Sequence, residues 1–185
     1  MTWQIVCLND VLPTPWRNGI GVTRELVAWP DSLAWQWRAS VAEVVQSGPF
    51  SSFAGIQRWF AVLQGDGVCL TVDGDLHRLV KSAAPLAFDG AVLTSCELLG
   101  GATQDFNLML QNGASAHVLR VNGGFEMTTN TPKTIAVYAH SVGAIVQIGS
   151  EVYGLSQHEF GWICADANMA IQVLGSDALF MEIDI

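Results

Sequence analysis

The pattern that most constrains this chain is a period of two. From residue 60 onward, short apolar runs (FAVLQ, VCLTV, VLTSCEL, FNLMLQ, HVLRV, TIAVYAH, AIVQIG, GWICA and AIQVL) are cut by turn sequences. The turns are GDG at 65–67, VDGD at 72–75, FDG at 88–90, LLGG at 98–101, QNG at 111–113 and VNGG at 121–124. Segments of this length rich in β-branched and aromatic residues favour strands, and turn signals every ~8–12 residues place them in an antiparallel sandwich or barrel. No window carries the 3.6-residue apolar stripe of an amphipathic helix. Half of the 185 residues are hydrophobic, which excludes disorder and allows a core without disulfides or structural metal. The expected class is all-β.

Charge narrows the function classes. A formal net charge of −9 argues against nucleic acid, which demands a basic surface, and against a polybasic membrane anchor. The charge is uneven. Residues 1–60 balance Arg17, Arg24, Arg38 and Arg58 against four acids, whereas the rest sets four basic residues against thirteen acids. Arginine rather than lysine in the first third suits a planar fork that grips a carboxylate or stacks on a ring. The N-terminus MTWQIVCLND has no basic stretch ahead of an apolar run, and nothing approaches ~18 consecutive apolar residues, so neither a signal peptide nor a membrane helix is expected. Cys7, Cys69, Cys96 and Cys164 are widely spaced in strand-like stretches. They read as reduced core residues of a cytoplasmic protein.

A faint internal repeat accompanies the strands. Residues 60–74 overlay 135–149 at a constant offset, matching Ala61 with Ala136, Val62 with Val137 and Gly74 with Gly149, while Phe88 falls near Trp162. This favours two similar β-barrels in tandem.

The most specific signal lies in PWRNGIGVTRELVAWP at 15–30, WQWRASVAEVVQSGPFSSFAGIQRWFAVLQGDG at 35–67, LAFDG at 86–90 and QDFNLML at 104–110. In this order and spacing the chain resembles the HutD/Ves family of bacterial cupin-type proteins. The resemblance implies a bicupin, with an N-terminal barrel over 1–110, a C-terminal half over 111–185, and strands exchanged between them. It also implies a role beside histidine degradation, binding a small acidic intermediate such as urocanate or formylglutamate. No catalysis is firmly implied.

Metal-dependent cupins carry Gly, five residues, His-x-His, three or four residues, Glu, six residues, Gly. Counted from Gly48, this chain has Ala54 and Ile56 at the histidine positions, Phe60 at the glutamate position, and Gly67 on schedule. The turn glycines persist and the ligands do not, so neither metal nor cofactor is expected. His77, His117, His140 and His158 form no His-x-His pair and read as surface or core histidines.

The candidate ligand-binding residues are Trp16, Asn18, Thr23, Arg24, Arg38, Ser40, Glu43, Ser52, Arg58, Asp105 and Asn107. Alternation places Arg38 and Ser40 opposite Trp35, Trp37, Ala39 and Val41, and Asp105 and Asn107 opposite Phe106 and Leu108. These polar residues either meet solvent or line a sparsely polar pocket in a barrel mouth. In the 16–25 stretch, Gly19 and Gly21 permit tight turns, and Arg24 either clamps a ligand carboxylate or pairs with Glu25 or Glu43. Arg58, next to Trp59 and Phe60, suits ring stacking. Ser52 lacks the context of a nucleophile, while Glu43 and Asp105 are the available acid/base pair. Five tryptophans (Trp16, Trp29, Trp35, Trp37 and Trp59) in the first third read mainly as core.

The expectation is a non-enzymatic binding protein for a small carboxylate metabolite, an accessory or regulator of histidine utilisation. One alternative is a metal-independent enzyme acting on such a compound with Glu43 or Asp105 as base. The other is a protein-interaction module. A homodimer is an open possibility in each case.

Overall fold

The structure is a computed structural model that describes residues 2–111 and 113–185. Apart from a 3-10 turn at Leu8–Asp10, its regular elements are strands: β1 (Gln4–Cys7), β2 (Thr14–Pro15), β3 (Gly21–Trp29), β4 (Trp37–Val44), β5 (Gly48–Pro49), β6 (Ile56–Gln64), β7 (Val68–Val72), β8 (Asp75–Leu79), β9 (Leu86–Asp89), β10 (Thr94–Leu98), β11 (Thr103–Gln111), β12 (Ser115–Thr128), β13 (Lys133–Ala139), β14 (Ala144–Ile148), β15 (Glu151–Leu155), β16 (Glu159–Ala165) and β17 (Ala170–Asp184). Every pairing is antiparallel. None of the described residues forms a helix long and apolar enough to cross a membrane. The chain forms two compact units, Val11–Gly113, and the first ten residues together with Ala114–Ile185.

The unit Val11–Gly113 sets a six-stranded sheet, β2-β3-β4-β11-β6-β9, against a four-stranded one, β5-β10-β7-β8. Its core draws on both sheets: Val44, Phe60, Val62 and Phe88 from the first meet Val68, Leu70, Val72, Leu79 and Cys96 from the second. The alternation is clean on β7 and β10, where Val68, Leu70, Val72, Thr94 and Cys96 are buried between more exposed neighbours. On β4 it breaks down, because Trp37, Ala39 and Val41 on one face and Ser40, Ala42 and Val44 on the other are all buried. This strand is therefore buried on both faces except at Arg38 and Glu43.

The second unit is one seven-stranded sheet, β1-β16-β13-β17-β14-β15, with β12 also pairing β17. The 15-residue β17 pairs β12 along its whole length, β14 over Ile171–Gly175, and β13 over Ala178–Ile183. Between these stretches the register slips at Val121/Asn122, and Asp177 adopts a φ of 61° while its N–H donates to Asn122 Oδ1. This bulge curls the sheet around a core of Val121, Ile135, Val137, Val146, Ile163, Val173 and Phe180.

β1 pairs β16 in register Gln4↔Trp162 to Cys7↔Glu159, so its hydrogen bonds tie this segment to the C-terminal unit. The pairing order within the two units is parallel. β6 lies between β9 and β11, β13 lies between β16 and β17, and each is followed by a two-stranded hairpin.

Candidate functional site

A cavity of about 610 Å³ opens in the unit Val11–Gly113, within the usual range for small-molecule sites of ~300–1,000 Å³. One wall is the inner face of the six-stranded sheet. Successive strands present Thr23 and Glu25 (β3), Arg38, Ser40, Ala42 and Val44 (β4), Asn107 and Met109 (β11), and Arg58 and Phe60 (β6). The register aligns them in rows. Arg38, Met109 and Arg58 are cross-strand neighbours, and so are Ser40, Asn107 and Phe60.

The opposite wall comes from two loops. The first carries Trp16, Arg17 and Asn18, the second Phe50, Ser51 and Phe53. The glycines of the first loop have separate jobs: Gly19 takes a φ of +74°, while a Cβ on Gly21 would sit 2.6 Å from the Glu43 carbonyl oxygen and 3.1 Å from the Trp16 ring. That close approach seats the indole, whose Nε1 donates to Thr23 Oγ1 at 2.7 Å. Phe50 meets Trp16 edge-on at 6.1 Å and lies 6.0 Å from Phe60. Trp16 is thus a wall residue, whereas Trp37 is fully buried on the other face.

Arg58 dominates the cavity chemistry. It is only 6% exposed; among the described residues it donates one hydrogen bond, from Nη2 to Asn107 Oδ1 at 2.8 Å, and its Nε has no acceptor. Three rings surround the guanidinium, with centroids at 5.3 Å (Phe50), 5.7 Å (Phe53) and 5.1 Å (Phe88). Rings stabilise a cation by ~0.5–2 kcal/mol each but cannot neutralise it, and among the described residues no carboxylate pairs with it. Burial, followed by the charge of Arg38, lowers its pKa to about 10. Arg38 itself stacks over Trp35 at 5.1 Å and donates to Met109 S at 3.1 Å. Its Nη1 lies 3.4 Å from Glu25 Oε2.

This arrangement can be set beside known proteins. The model of the family described as HutD matches residues 8–181. The chain belongs to the HutD family. It is 36% identical to an uncharacterized 21.2 kDa protein of the hutC 3′ region of Pseudomonas putida, over 84% of each chain. It is 30% identical to protein Ves of Escherichia fergusonii, over 91% of this chain and 87% of that one. HutD from Pseudomonas fluorescens superposes with a TM-score of 0.83 at 30% identity, over 98% of both chains. A variant of Bacillus subtilis oxalate decarboxylase superposes at 0.66 and 9% identity, covering 97% of this chain and 76% of its own. That likeness speaks to fold alone: all-β, with curled sheets of the cupin type.

In this HutD-family chain the cavity lining does not fit a metal. At the three cupin ligand positions, Ala54 is an exposed turn residue, Ile56 begins β6, and Phe60 enters the cavity as a ring. Among the described residues no histidine or cysteine lines the cavity, and its carboxylate, Glu25, faces Arg38.

Of the sequence candidates, Trp16, Asn18, Thr23, Arg38, Ser40, Arg58 and Asn107 come together here, and four do not. Arg24 lies on the other face of β3 from Thr23 and Glu25, and its guanidinium donates to Glu43, which likewise points away from the cavity. The adjacent Ser51 lines the cavity, whereas exposed Ser52 donates to the Ala91 carbonyl oxygen at 2.9 Å. Asp105 shares a face with Asn107 but sits one row deeper, between Ala42 and Val62, and is 0% exposed. Thr103 Oγ1 donates to its Oδ2 at 2.7 Å, while its Oδ1 has no partner. Burial raises its pKa to about 7, with the Thr103 hydrogen bond opposing.

Arg17, Glu25, Phe50, Ser51, Phe53 and Met109 are lining residues that sequence reasoning missed. Two-residue spacing from Thr23 and Asn107 identifies Glu25 and Met109. The loop residues follow no period.

Proposed function

We propose that this HutD-family chain binds a small carboxylate-bearing metabolite, without metal, in the cavity of the Val11–Gly113 unit, as an accessory or regulatory protein of histidine utilisation. The observation that carries the reading is Arg58, a buried guanidinium whose Nε lacks an acceptor and which, among the described residues, pairs with no carboxylate. A buried charge is stable only when paired, and a ligand carboxylate is a group that would pair with it. Arg38 supplies a second cation, Asn107 fixes the Arg58 fork, and Ser40 and Asn18 offer neutral hydrogen bonds. The family relationship and the hutC neighbourhood of the P. putida relative support the pathway. Two tandem cupin barrels, one per unit, is the matching architectural proposal, supported by the parallel strand orders. We place the protein in the cytoplasm.

Glu43 as a catalytic base is disfavoured, because it lies outside the cavity in the pair with Arg24. The test is a thermal-shift panel of urocanate, imidazolone propionate, formiminoglutamate, formylglutamate and glutamate, each compound followed by NMR. A ligand at a hundredfold excess over its Kd adds about 2.7 kcal/mol, or roughly 5–10 °C for a chain of this size. The expected result is such a shift with the compound intact, retained in Arg24→Ala. Conversion of the compound would make the protein an enzyme, and no shift from any of the five would detach it from this pathway.

A further inference from the structure

The cavity holds one acidic side chain among its described lining residues, and that residue is under-used. Glu25 enters from β3 with its side chain 43% exposed. Its nearest cation is Arg38, at 3.4 Å, well beyond the ~2.7–2.9 Å of a charge-assisted hydrogen bond. Among the described residues no donor hydrogen-bonds to either of its oxygens. On the outer face of the same sheet, by contrast, Glu43 and Arg24 are engaged in a direct hydrogen bond. The inner Glu–Arg contact is therefore loose where the outer one is closed.

The register gives the geometry. Glu25 pairs Ser40, Ser40 pairs Asn107, and Asn107 pairs Phe60, two residues along β6 from Arg58. Glu25 and Arg58 thus lie three strand spacings apart, about 14 Å between backbones, with Arg38 on the strand next to Glu25. A carboxylate held between Arg58 and Arg38 leaves Glu25 one to two strand spacings away, about 5–10 Å. Trp16 and Phe50 wall the gap between them with apolar surface.

We infer that the cavity selects a two-pole ligand, with a carboxylate on Arg58 and Arg38, a flat apolar middle, and a cationic or N–H-bearing nitrogen on Glu25. This deepens, and rests on, the carboxylate-binding reading of the same cavity. Glu25 is then a specificity residue: it accepts from the ligand nitrogen and repels a second anion at that end.

The test compares two near-isosteric probes by calorimetry, 4-(aminomethyl)benzoate and 4-ethylbenzoate, on the wild type and on Glu25→Gln. Because Glu25 is exposed and accepts no hydrogen bond from the described residues, the variant is expected to keep the wild-type melting temperature. The expected result is that the aminomethyl compound binds the wild type about tenfold or more tighter, the scale of one charged hydrogen bond. In Glu25→Gln that preference shrinks to about threefold or less. Equal binding of the two probes to the wild type would overturn the two-pole ligand and leave the carboxylate site standing. If neither probe binds, both fall. A preference that survives intact in Glu25→Gln would overturn the role of Glu25.

Discussion

Asp105→Asn is expected to flatten the pH dependence of stability between about pH 4 and pH 7. The acid is 0% exposed, has one oxygen without a partner, and carries a pKa raised to about 7 by burial. In the unfolded chain an aspartate titrates near 3.9. Below about pH 4 it is neutral in both states and folding carries no ionisation cost. Between about 4 and 7 the unfolded chain releases the proton and the folded chain keeps it. Stability therefore falls with rising pH by up to ~1.4 kcal/mol per unit. Above about 7 the folded state also ionises and the loss levels off, on the order of 4 kcal/mol in total. Its neighbours bear on the same window. The Cys96 thiol, pushed up to about 12 by burial and then by the Asp105 charge, stays protonated throughout, and Thr103 donates its hydroxyl in either state. Asparagine keeps an acceptor for Thr103 and removes the titration. Urea denaturation from pH 4 to pH 8 should show the wild type losing stability relative to Asp105→Asn as pH rises. Parallel profiles would show that the carboxyl is not buried as described.

Arg58→Met is expected to separate stability from binding. Methionine roughly fills the volume among Phe50, Phe53 and Phe88 and brings no charge into it. Removing a buried cation that pairs with no carboxylate among the described residues relieves its desolvation cost, at the expense of one hydrogen bond to Asn107. An apolar residue of similar size in place of a buried ion is commonly neutral or stabilising. Melting at or above the wild-type temperature is therefore expected, with carboxylate affinity down by about 10- to 150-fold, the loss of a charged hydrogen bond at ~1.5–3 kcal/mol. A binding site whose presence costs stability is the usual sign of function. A variant that melts lower and binds as before would make Arg58 a structural residue.

The strands were legible from sequence because a two-residue period is a local property, and the wall positions Arg38, Ser40 and Asn107 follow from it directly. The period leaves open which parity faces inward. Thr23 and Arg24 were both candidates although neighbours on a strand face opposite ways, and only the pairing of β3 with β4 shows that Thr23 and Glu25 look into the cavity. Depth was equally invisible. Asp105 has the right parity, yet one row further along the sheet the core closes over it. Loop residues such as Phe50, Ser51 and Phe53 take their places from tertiary packing and carry no repeat. The destination of the first ten residues depends on β1 meeting β16, a pairing across some 150 residues that no local pattern encodes.

The most direct measurement of the central claim is the set of arginine Nε–H resonances, six in this chain, followed by ¹H–¹⁵N NMR during titration with a small carboxylate such as 4-ethylbenzoate. The account predicts that the Arg58 Nε–H, without an acceptor in the free protein, shifts downfield to saturation, with a smaller response at Arg38 and none at Arg24. Binding that leaves the Arg58 resonance in place, or that moves the resonance of Arg24 instead, would contradict it.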